Sequence, residues 1–164
     1  MHFAPGATVA RKLAAARRKP LFVLLWLVPA WLLIGLSAAT IALVPFRRIA
    51  PLLGVNRGAV AFKPAIDAGQ QRRALRIAQT IRLAARHAPF RADCFPQALT
   101  ARLLCALWRV PCAMHLGVAI GDGASRMRAH AWVSAGEIVV SGGAGSFAAH
   151  TPVACFVPAA LKDA

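Results

Sequence analysis

From Pro20 to Phe46 the chain runs PLFVLLWLVPAWLLIGLSAATIALVPF without a single charge, and Arg47-Arg48 close it. As a helix, Leu21 to Val44 would span roughly 36 Å, enough to cross a bilayer core of about 30 Å. Three readings compete. A signal peptide is disfavoured, because the run is too long and Pro45-Phe46-Arg47-Arg48 is no small-residue cleavage site. A membrane-spanning helix fits the hydropathy, although Trp26 and Trp31 do not both sit at its ends. The third reading is a soluble or peripheral hairpin, broken near Pro29 or Gly35, that packs on the protein or on a partner. The 1–19 tail is basic, with Arg11, Lys12, Arg17, Arg18 and Lys19 before the run. That asymmetry would place the N-terminus inside and the remainder outside the cytosol.

After this run the periodicity changes. Residues 51–69 are rich in Gly and Pro and read as a linker. From Gln70 to His87 apolar residues 74, 77, 78, 81 and 85 form a helical stripe, with most arginines opposite. Ala88-Pro89 ends that helix. A second helix begins near Asp93–Pro96, where Asp is a good N-cap and proline suits a first turn. Phe95, Leu99, Leu103, Ala106 and Leu107 form its predicted apolar stripe, and Arg109-Val110-Pro111 stops it. Cys112 to Ile120 reads as a strand, Gly121-Asp122-Gly123 as a turn and Met127 to Ser134 as a strand. Ala135-Gly136 reads as a tight turn and Glu137 to Ser141 as a third strand. A Gly-rich stretch and a tail with Pro152, Cys155 and Pro158 follow. Helices followed by short antiparallel strands predict an α+β fold.

Composition then narrows the chemistry. The 164 residues are 59% hydrophobic and 15% charged, with 20 Lys and Arg against 5 Asp and Glu, a formal charge of +15. This excludes a disordered chain and suits one domain of ordinary size. The acids are Asp67, Asp93, Asp122, Glu137 and Asp163, too few for glycosidase pairs or carboxylate metal sites. Cys94, Cys105, Cys112 and Cys155 form no CxxC pair, and Cys105, Cys112 and His115 fit no common zinc spacing, so no metal and no cofactor is expected. Reduced core thiols are the plainer reading. The arginine helix carries no interleaved aromatics and no reading motif, which argues against nucleic acid. An anionic lipid surface beside the apolar run, or an acidic peptide, suits the charge better.

Two residues could carry chemistry together. Cys94 lies where the second helix starts, and the positive end of a helix dipole favours an anion there; Arg91 pushes the same way and Asp93 opposes it. His130 lies in the strand Arg128-Ala129-His130-Ala131-Trp132-Val133. An imidazole facing that helix start could take the thiol proton and later return it to a leaving amine. Trp132 would wall such a site or fill the core.

CFPQALTARLLCALWRVPCAMHLGV followed by AHAWVSAGEIVV resembles the transglutaminase-like, papain-related cysteine peptidase domain of lasso-peptide biosynthesis, the B protein that processes microcin-type precursors. The resemblance lies in a Cys opening a Leu-rich helix, the break at Arg109-Val110-Pro111-Cys112-Ala113, and an apolar strand from His115 to Ile120. The His-Ala-Trp-Val strand completes it, and Pro45-Phe46-Arg47-Arg48 matches the family's N-terminal stretch. It covers roughly residues 20–157, most strongly 90–140. With the composition, this divides the chain into a basic tail over 1–19, an apolar helical segment over 20–50 and an expected peptidase domain over 51–164.

The resemblance further implies a Cys-His-Asp triad, with Cys94 as nucleophile and His130 as base. The family's Asp lies about a dozen residues past the His. That place reads Ser141-Gly142 here, so Glu137, Ser141, a backbone carbonyl or water is left to orient the imidazole. Gln97 is a candidate oxyanion donor beside the backbone N–H groups of the helix start. The implied activity is removal of the leader from a ribosomally made lasso-peptide precursor. The implied partners are the leader region, a separate leader-binding protein and an ATP-dependent lasso cyclase. The alternative is a catalytically degenerate, membrane-associated scaffold of the same complex. Because precursor and ATP are cytosolic, the expected location is the cytoplasm, with 20–46 as a helix associated with the inner membrane or packed on the domain.

Overall fold

The computed structural model describes residues 20–90, 92–120 and 127–161. The basic tail 1–19, Arg91, the Gly121-Asp122-Gly123 turn and Asp163 lie outside the described residues. The apolar run is one continuous helix, α1 (Leu21–Leu43), and Pro29 does not break it into a hairpin. A proline removes one backbone donor, and packing on the domain holds the helix through that gap. A short turn, α2 (Phe46–Ile49), and a 3₁₀ turn (Ala50–Leu53) follow. Then come β1 (Val55–Asn56), α3 (Ala68–Arg86) and α4 (Cys94–Leu107). The rest is β2 (Ala113–Ile120), β3 (Met127–Ala135), β4 (Ile138–Ser141), a single turn α5 (Ser146–Ala149), β5 (Thr151–Val157) and a 3₁₀ turn (Ala159–Leu161).

The strands form one antiparallel sheet in the order β1-β5-β2-β3-β4. Two parts of it differ from the sequence reading. The tail is the strand β5, central in the sheet between β1 and β2. Pro152 sits near its start, opposite the register shift at Leu116/Gly117, where a missing N–H costs the ladder least. Residues 51–69 are no free linker either. β1 pairs with β5, and Gly136 N–H donates to the Pro64 carbonyl at 2.9 Å, which straps the segment to the β3–β4 turn.

α3 starts two residues earlier than the stripe predicts. Asp67 and Gln70 form a reciprocal capping box, with Oδ1 accepting from Gln70 N–H at 2.8 Å and Asp67 N–H donating to Gln70 Oε1 at 2.9 Å. Its buried face is Ala74, Ile77, Ala78, Thr80, Ile81 and Ala84, close to the predicted stripe. In α4 the buried face is Pro96, Ala98, Thr100, Ala101, Leu104 and Cys105, whereas Leu103 and Leu107 are exposed. Small side chains let α3 and α4 approach the sheet and each other, and the larger leucines are displaced outward.

One core cluster joins these helix faces to Met114, Ala131, Val133, Val140 and Phe156 on the facing side of the sheet. α1 packs outside α3 and α4, burying Val23, Ala30, Ile34 and Ser37, and Ser37 Oγ lies 3.3 Å from Thr100 Oγ1 in a buried hydrogen bond. Trp26 meets Trp108 edge-on, and Gly35 lets the helix pass close to the Phe90 ring. Leu21, Leu25, Val28, Leu32 and Leu36 remain exposed on the other side of α1.

Candidate active site

Cys94 is the first residue of α4, with Asp93 at its N-cap, and is half-buried. The helix start fixes the thiol against the core while its outer side opens to solvent. His130 lies on β3 opposite Gly117 of β2. Strand alternation puts His130, Trp132 and Ser134 on one face, and Ala131, Val133 and Ala135 on the face toward the helices. β4 pairs with β3 only along Val133 to Ala135. Beyond Ser141 that edge of β3 is therefore unpaired beside His130, and there the imidazole can be approached from the helix side. Cys94 and His130 both line the cavity at this edge, about 460 Å³ in volume, together with Gln97, Arg82 and the backbone of 141–144.

The ring of His130 is held by two acceptors. Nε2 lies 3.1 Å from the Gly142 carbonyl and 3.2 Å from Ser146 Oγ. A carbonyl can only accept, so Nε2 carries the proton, and in the neutral ring Nδ1 keeps a bare lone pair. Ser146 Oγ donates its own hydrogen to the Gly143 carbonyl at 2.8 Å, which leaves its oxygen to accept from His130. Burial pushes the imidazole below its usual value; the Gly142 carbonyl works against this, and the nearby His150 adds to it. His130 thus stays a neutral base to lower pH than a free histidine. His150 stacks on His130 at 4.5 Å between ring centroids, and Trp132 lies near-parallel to it at 5.8 Å. The rings restrict the imidazole's rotation as the two hydrogen bonds restrict its tilt.

Glu137 does not orient His130. It sits in the β3–β4 turn, 84% exposed, with its carboxylate 2.6 Å from Lys63 Nζ. Five residues of extended chain, roughly 16 Å, separate it from Gly142. Ser141 does reach the cavity, but its Oγ is buried with no hydrogen-bond partner among the described residues, and the ring's contacts fall to Gly142 and Ser146. Gln97 also lines the cavity, with one amide N–H engaged by the Ala92 carbonyl at 2.6 Å. Cys105 and Cys112 hydrogen-bond to each other in the core, which with burial pushes the Cys105 thiol well up. His115 is turned to Ser134 Oγ, 3.1 Å away, on the face of the sheet that faces away from the helices.

Gly142, with Ser141 before it, stands where the resemblance expects an Asp. Its φ is +97°, and an added Cβ would lie 2.4 Å from Trp132 Cβ. Only glycine lets the chain cross so close to Trp132 and present its carbonyl to the ring. Sequence reasoning missed Ser146 and His150, because their contact with His130 is made across 16 and 20 residues of loop and turn. The one signal was the glycine-rich run Gly142 to Gly145, which marks a tight path rather than a linker.

Residues 40–155, well over half of the chain, match the family model of the transglutaminase-like superfamily. The chain therefore belongs to that superfamily, with its mixed helices and small antiparallel sheet. No curated protein and no solved structure matches it.

Proposed function

We propose that this chain is a cysteine peptidase that removes the leader from a ribosomally made lasso-peptide precursor. The observation that carries the reading is a Cys at a helix start and a doubly anchored His lining one open cavity. The Cys94 proton passes to Nδ1 of His130, and the thiolate attacks the scissile carbonyl. The tetrahedral oxyanion is met by N–H groups of the α4 start, with Gln97 as a further donor. The C–N bond breaks as the imidazolium gives its proton to the leaving amine, leaving a thioester on Cys94. Water, deprotonated by the same imidazole, then releases the acyl segment and restores the thiol. A peptide carbonyl and a hydroxyl orient the imidazole in place of a carboxylate. They fix the tautomer but stabilise the imidazolium less than a full negative charge does, so a reduced rate is expected.

A leader-binding protein that presents the leader, and an ATP-dependent lasso cyclase that receives the freed core, are the proposed partners. The proposed location is the cytoplasmic side of the inner membrane, with the exposed leucines of α1 and the basic residues around it on anionic lipid. Among the described residues no carboxylate hydrogen-bonds His130, which favours one second reading, a degenerate scaffold of the same complex.

The test mixes the protein, its partner proteins and the precursor, and follows leader release by mass spectrometry. Release by the wild type and none by Cys94→Ala or His130→Ala supports the peptidase. Unchanged release by Cys94→Ala removes it, and no release by the wild type favours the scaffold.

A further inference from the structure

We infer that the guanidinium of Arg82, with the hydroxyl of Ser141, takes a carboxylate side chain of the substrate within a few residues of the scissile bond. This rests on the peptidase reading above and adds a charge requirement to it. Among the described residues that line the cavity holding Cys94 and His130, Arg82 alone carries a fixed charge, and no acidic side chain lines it. Arg82 stands on the exposed side of α3 and makes no ion pair among the described residues. Asp67 is held at the cap of the same helix, roughly 22 Å away along its axis, and Glu137 is held by Lys63. Arg86 lies one turn on, and the two arginines share a shallow hollow of about 200 Å³ with Gln79 and Leu83. Like charges four residues apart on a helix repel. A carboxylate between them relieves that repulsion, and a lysine of the substrate adds to it.

Ser141 supplies the second, independent sign. It pairs with Val133, on the side of the sheet toward the helices, and is 5% exposed. It lines the same cavity, and its Oγ is buried without a hydrogen-bond partner among the described residues. A buried hydroxyl left unpaired is costly, and a carboxylate offers the acceptor lone pairs it lacks. Arg82 comes from α3 and Ser141 from β4, so one anion in the cavity can be held from two elements at once. A chain with 20 Lys and Arg against 5 Asp and Glu leaves that anion to the substrate. A guanidinium–carboxylate pair at an open site is worth roughly fivefold in rate at low salt, and the Ser141 hydrogen bond adds to it.

The experiment treats the full-length protein with aza-peptide epoxides extended by residues on both sides of the reactive centre. A single Glu, Gln or Lys is walked through the positions on each side. Formation of the Cys94 adduct is timed by intact-mass spectrometry, with Cys94→Ala as blank, and each rate is read against that of the Gln probe. At one position the Glu probe is expected to react roughly fivefold faster than the Gln probe and the Lys probe slower still, and the preference should shrink as salt rises. Arg82→Glu should reverse the order there, with Lys ahead of Glu. Ser141→Ala should reduce the Glu preference without reversing it, and an unchanged preference removes the hydroxyl from the subsite. The same order of Glu, Gln and Lys in the wild type and in Arg82→Glu at every position, with Cys94 labelled, overturns the carboxylate subsite and leaves the peptidase reading standing. No Cys94 adduct from any probe overturns both.

Discussion

At the scale of single residues, the imidazole of His130 is held by neutral groups, and this sets what substitution can do. Ser146→Ala removes one of two acceptors on Nε2. It should lower kcat roughly tenfold with KM unchanged, while Ser146→Thr keeps most of the rate; steady-state kinetics on the precursor check the split. Restoring the family's acid at Gly142 should fail. Gly142→Asp puts a Cβ against Trp132 at a φ of +97° and should cost roughly 2 kcal/mol or more. Denaturant unfolding should read a loss of stability, and the leader-release assay no gain. His115 gives the pH dependence of the fold. It is fully buried, and burial drives its pKa down to about 4, the Phe62 and Val60 carbonyls working against this. Folding therefore prefers the neutral ring. The stability this supplies is complete above the unfolded value near 6.5 and is lost as pH falls toward 4, about 3 kcal/mol in all. Thermal melts should be flat above pH 7.5 and fall below pH 6.5, and His115→Gln should flatten that fall.

Among the elements, α4 was legible from its first residue, because Asp93, Cys94 and Pro96 are a start signal that tertiary contacts do not alter. Its buried face was not. Leu103 and Leu107 fit the helical period as well as Leu104 does, but the sheet accepts the side with Ala98 and Ala101. β5 was hidden by Pro152 and Pro158, which mark loops unless a neighbouring strand supplies a bulge. α1 shows the same limit most clearly. Its composition is apolar all round, so no period in the sequence separates the side packed on α3 and α4 from the side left open. Ile34 is fully buried, and Leu32 is 57% exposed. Ile34→Ala should cost about 2–5 kcal/mol, and Leu32→Ala less than about 0.5 kcal/mol; urea unfolding of both variants decides whether the helix docks in solution as described.

For the molecule as a whole, the apolar run and the basic surface act together. α1 turns one side to the domain and presents exposed leucines on the other, in a chain with a formal charge of +15. The full-length protein should float with phosphatidylglycerol-containing vesicles at low salt and be released as salt rises, with weak binding to neutral phosphatidylcholine. Absence of flotation at low salt would remove the membrane-surface location. The sequence by itself marked the start of α4, the apolar face of α3 opposite its arginines, and Cys94 and His130 as candidates with Ser141-Gly142 at the place of the expected Asp, since these depend on local period and residue identity. Tertiary structure alone decided what fills that gap. The Gly142 carbonyl is a backbone group that no residue name announces, and Ser146 and His150 reach His130 only because the chain turns back over the open edge of β3. It likewise decided which side of α1 is buried, because hydrophobic burial follows area and does not distinguish among equally apolar faces.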